Sequence, residues 1–142
     1  FRRVLFRSLW INLMQTEEIN LPHVVAEVTA AFYRYEQALV SNDIATLDAL
    51  FWHDERTVRL GAGENLYGIE QIRAFRAQRP AAGLARTLRN SVITTFGEAY
   101  AVCSTEFTRE GSAKIGRQQQ SWVRLPEGWR IVAAQVSLMS ES

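Results

Sequence analysis

The sequence predicts an α+β fold in which a helical first half folds onto a long, strongly curved antiparallel sheet. Three observations lead to it. Apolar residues recur at three- and four-residue spacing between Val24 and Leu39, four β-rich runs follow one another between Arg86 and Met139, and turn residues separate those runs. At 142 residues, 47% hydrophobic and 22% charged, with 3 Pro and 8 Gly, the chain has the make-up of one compact domain rather than of a disordered or repetitive one. No apolar run approaches the roughly 20 residues that cross a bilayer as a helix, so no membrane association is expected.

The first thirteen residues, FRRVLFRSLWINL, match neither a helical stripe nor a strand alternation. FRRVLFRS resembles the translation of a sequencing-adapter read-through, so residues 1–13 are expected to be a non-native extension and 14–142 the domain, with Met14 as its start. Without the three arginines of that stretch, the net charge of +1 becomes −2.

Pro22 suits the first turn of a helix, and Val24, Val28, Ala31, Phe32, Tyr35, Ala38 and Leu39 then form one buried stripe. Tyr35 lies on it. Tyr33, two residues away, is rotated by about 200° and should face outward. Ser41-Asn42-Asp43 stops this helix and caps a short second one through Ile44, Leu47, Leu50 and Phe51. Arg56 to Leu60 alternates like a strand, closed by Gly61-Ala62-Gly63, and Ile69 to Arg79 reads as a third helix stopped by Pro80. Strands are then expected over Arg86 to Phe96, Tyr100 to Arg109, Ile115 to Leu125 and Trp129 to Met139, joined as a meander. Helices on one face of such a sheet make a cone whose inner end can stay open as a pocket. The other face, assigned Trp122, Arg124, Val132, Ala134 and Val136, would be an apolar surface and implies a homodimer.

Composition narrows the chemistry. Fifteen of the sixteen basic residues are Arg, with Lys114 the exception, which reflects either codon bias or a need for planar forks that grip carboxylates. The balanced charge and the lack of a basic stripe argue against nucleic-acid binding. The lone Cys103 alternates within an apolar strand and reads as a core residue in a reducing, cytoplasmic setting. With His23 and His53 as the only histidines, no metal or nucleophile motif forms, and no cofactor is expected.

The stretches RYEQALVSND, FWHDERTVRLGAGENLYGIEQIRAFRAQRP, GLARTLRNSVITT and GSAKIGRQQQSWVRLPEGWRIVAAQVSLM resemble the AtzH-like and oxalurate-catabolism (HpxZ-like) group of the nuclear-transport-factor-2-like superfamily, in long blocks covering nearly everything after Leu21. The resemblance implies a cone-shaped domain. It also implies a hydrolase or decarboxylase of a small anionic substrate, a carboxylated urea, in cyanuric acid or related nitrogen catabolism. The reaction would be dicarboxyurea to allophanate, with loss of carbon dioxide and ammonia or of carbon dioxide alone. The alternative is a non-catalytic accessory or ligand-binding subunit associated with an amidase.

For such a substrate an anion must be held while a proton is delivered. Tyr35 is either a core tyrosine or an acid/base group at the mouth of a pocket, and Arg59 either a surface strand residue or its cationic partner, favouring the phenolate if the two converge. Together they are the candidate catalytic pair. Arg86 and Arg117, with Gln119 on the same strand face, and Gln135 and Ser137 on the last strand, are candidates for substrate binding, or else solvated strand residues.

Overall fold

The computed structural model describes residues 13–140. The proposed extension before Met14 therefore lies outside the described residues except for Leu13. After a single 3-10 turn, helix α1 (Pro22–Val40) starts with proline in its first turn and buries Val24, Val28, Phe32, Tyr35, Ala38 and Leu39. Tyr35 is 4% exposed and Tyr33 51%, as the helical rotation requires.

Asn42, with φ 54°, turns the chain, and Asp43 caps α2 (Ile44–Leu50) by accepting from the Thr46 backbone N–H at 3.2 Å and its hydroxyl at 2.7 Å. The chain then forms β1 (Val58–Leu60), β2 (Asn65–Tyr67) and α3 (Ile69–Gln78), before the long strands β3 (Thr87–Phe96), β4 (Tyr100–Thr108), β5 (Ile115–Leu125) and β6 (Gly128–Met139). The sheet order is β2-β1-β6-β5-β4-β3.

β3 to β6 are the expected meander, but the six-stranded sheet is mixed because β1 pairs parallel with β6. The β1 strand is shorter than its alternation suggests, since Asp54 accepts from the Arg56 backbone N–H and guanidinium and holds that end as a turn. Sequence reading also misses β2, whose three residues fall below the length at which alternation can be recognised.

Two irregularities bend the sheet. Asn90, at φ 53°, sits in a register shift between Arg89 and Val92, and a second shift lies where Ser121 and Trp122 pair with Ala133 and Ile131. The helices cover the concave face, and the core between them holds Phe32, Leu47, Leu50, Phe51, Ile72, Trp122 and Ile131. Trp122 is fully buried there and Ala134 is 9% exposed, which corrects the expected orientation of β5 and β6. The predicted apolar outer face does not exist as drawn: Arg117, Gln119, Gln135 and Ser137 occupy that side, with Val136 turned inward.

Candidate functional site

A cavity of about 200 Å³ opens between α1, α3 and the concave face, lined by Tyr35, Arg59, Glu64, Phe75, Arg79, Leu84, Arg86, Phe107, Arg109, Gln118 and Val136 among others. That volume lies below the roughly 300–1,000 Å³ of sites for drug-sized ligands, so it suits a small molecule. Each polar wall has a local cause. Tyr35 comes from the buried stripe of α1, its ring 6.1 Å from Phe51, and no described residue hydrogen-bonds its hydroxyl. Arg59 pairs in register with the inward-facing Ala134, which turns it toward the cavity. There it donates to Glu64 at 2.7 Å and lies 5.7 Å over Phe75.

Arg86, with its side chain 2% exposed, donates twice to Glu36, at 2.9 and 2.6 Å, and once to Gln118 Oε1 at 2.8 Å. This is the fork-to-fork geometry that makes Arg–carboxylate pairs strong. Arg86 and Arg109 stack on Phe107, at 4.4 and 5.0 Å. The ring lies close on the β5 backbone because residue 116 is glycine; any Cβ there would collide with it.

Arg79 follows the last turn of α3, and Pro80 forces it into an extended conformation that leads the chain out of the helix. Burial lowers the pKa of both Arg79 and Arg109; Arg76 adds to the effect at Arg79 and Arg86 at Arg109. Among the described residues, no cluster of His, Cys, Asp or Glu is placed to hold a metal ion. Cys103 is buried away from the cavity lining, its thiol pushed up to about 12 by desolvation.

The structure brings Tyr35, Arg59 and Arg86 into one cavity. It places Arg117, Gln119, Gln135 and Ser137 on the opposite sheet face, in an open concavity of about 390 Å³ with Asn90, Ser104 and Glu106. There Arg117 donates to Ser137 at 3.2 Å and Gln119 to Ser104 at 2.9 Å. Their expected place in the cone is thus corrected. The expected alternation is displaced by one residue from the observed one, which exchanges the two faces of β5 and β6. Trp122 could have fixed it, because the largest apolar residue of β5 shares parity with Gln120, Gln118 and Gly116. The same parity along β4 links Cys103 and Phe107 to Arg109. Glu36, Glu64 and Arg79 carry no comparable signal; only folding shows which arginines they meet or join.

A protein with unknown function from Pectobacterium atrosepticum is 70% identical to this chain, with a TM-score of 0.89 over 90% of this chain and 100% of its own. A cystatin-like fold protein from Burkholderia xenovorans is 50% identical, with a TM-score of 0.85 over 88% and 98%. An NTF2-like protein of unknown function from Pseudomonas putida shares 15% identity and a TM-score of 0.67 over 88% and 89%, a likeness of fold alone. No curated protein matches the chain. The AtzH-like family matches residues 17–142, and the chain, an NTF2-like α+β domain, belongs to that family.

Proposed function

We propose that the inner cavity decarboxylates a carboxylated urea, converting dicarboxyurea to allophanate. The observation that carries this reading is a cavity phenol, Tyr35, among four guanidiniums in a chain of the AtzH-like family. Dicarboxyurea and allophanate contain the same nitrogens, so loss of carbon dioxide alone balances the conversion and ammonia release does not.

The bond that breaks joins the departing carboxylate carbon to a urea nitrogen. Its electron pair stays on that nitrogen, which takes a proton as carbon dioxide leaves. Tyr35 supplies the proton and regains one from water, a general-acid step worth about 10²–10⁴-fold in rate. Arg59 is steadied by Glu64 through one nitrogen. Its remaining N–H groups stabilise the charge that gathers on the urea oxygen as the bond opens. Phe75, Leu84 and Phe107 supply the apolar walls that strengthen such contacts.

The test is purified protein with dicarboxyurea generated in solution, following carbon dioxide, allophanate and ammonia. Carbon dioxide and allophanate should appear in equal amounts, faster than in protein-free solution, without ammonia. No acceleration would leave the ligand-binding accessory role instead.

A further inference from the structure

Glu64 and Glu36 compensate two of the four cavity arginines, Arg59 and Arg86. The other two stand differently. Arg79 Nε and Nη2 and Arg109 Nε are buried without a hydrogen-bond partner, and neither guanidinium forms an ion pair with another described residue. Gln118 Nε2, on the same cavity lining, is a further buried donor without an acceptor, since Gln118 Oε1 is taken by Arg86. All of these unpartnered atoms are donors. Buried donors, and buried charge above all, persist in a fold against a substantial desolvation penalty unless something satisfies them. Among the described residues, the cavity thus carries two more arginines than partner carboxylates and a set of N–H groups with no acceptor.

We propose that Arg79 and Arg109 are the recognition pair of this cavity, selecting a dianionic dicarboxylate over a monocarboxylate by each engaging one carboxylate, with Gln118 Nε2 as an accessory donor. The inference deepens the decarboxylase reading and rests on the same cavity. Arg79 reaches the cavity from the C-terminal end of α3 and Arg109 from just beyond the end of β4, so the two guanidiniums enter it from different elements. One consequence concerns turnover. When a dianion loses carbon dioxide the product keeps a single carboxylate, one guanidinium is again unpaired, and the product is held less tightly than the substrate.

The test requires no turnover. Glutarate has the five-atom backbone of dicarboxyurea, and butyrate has the four-atom backbone of allophanate; both are chemically inert here. Calorimetric titration of the wild-type protein should give glutarate an affinity at least about tenfold above butyrate, the contribution of one further charge-assisted contact. In Arg79→Gln and in Arg109→Gln that preference should fall to within about threefold while butyrate still binds. Both variants should also melt at a higher temperature than the ligand-free wild type, because each removes a desolvated, repelling charge; a merely structural arginine would do the reverse. Arg79→Lys and Arg109→Lys retain charge and should keep part of the preference. A wild-type protein that does not favour glutarate, or a preference that survives both Gln variants, would overturn the proposal. If the preference behaves as stated but dicarboxyurea is not consumed, recognition stands and the decarboxylase reading fails.

Discussion

The two faces of the sheet hold similar residue types in opposite states. On the convex side Arg117 and Gln119 find partners in Ser137 and Ser104 on neighbouring strands, and the concavity they line is wide and open. On the concave side the arginines are half-buried, two are paired with Glu36 and Glu64, and two are left with buried nitrogens that have no partner. Volume would favour the convex face as a binding site; unsatisfied chemistry favours the concave one. The latter weighs more, since partnered polar groups gain little from a ligand whereas orphaned donors gain a full hydrogen bond each.

The largest effect expected on this contrast is from Tyr35→Phe. It should lower turnover of dicarboxyurea by about 10²–10⁴-fold with glutarate affinity unchanged, while Tyr33→Phe, on the exposed face of α1, leaves kcat intact in steady-state kinetics. Next comes Arg86→Leu, which strands Glu36, a carboxylate only 13% exposed. Denaturant unfolding should show a loss of about 3–5 kcal/mol, opposite in sign to the change expected when the unpaired Arg79 or Arg109 is neutralised.

Arg59→Lys should then lower kcat/KM by about ten- to a hundredfold. The ammonium can keep the contact to Glu64 but loses the fork that reaches the substrate. Smallest is the convex face, where Arg117→Ala and Gln135→Ala should change kcat/KM by less than about twofold; a larger loss would erase the distinction between the faces. Cys103 gives a chemical control. With its thiol pushed up to about 12 and buried, it should resist thiol reagents at pH 8 in the folded protein and react only on denaturation.

The helices and the meander were legible because their signals are local: the stripe from Val24 to Leu39, the Asp43 cap, and Pro80 after α3 each depend on a few neighbouring residues. Tyr35 was legible for the same reason, through helical phase, whereas strand parity left Arg59 open between a surface residue and a cavity one. The parallel pairing of β1 with β6 was not, since it joins residues more than seventy positions apart. Nor was the face of Arg117, Gln119, Gln135 and Ser137. Alternation fixes which residues of β5 go together but not which set goes inside; the size of Trp122 is the one signal that marks the set of Gln118 and Gln120 as the inner one. The electrostatic core of the site was least legible of all. Glu36 and Arg86 lie fifty residues apart, and neither their pairing nor the isolation of Arg79 and Arg109 leaves a trace in composition.

The most direct measurement of which face is functional is a crystal structure of the protein with glutarate bound. One carboxylate should lie within hydrogen-bond distance of Arg79 and the other of Arg109, with the chain between them beside the Tyr35 hydroxyl. Glutarate seated instead on the convex face against Arg117 and Gln119, with the inner cavity lacking it, would contradict the assignment of the site.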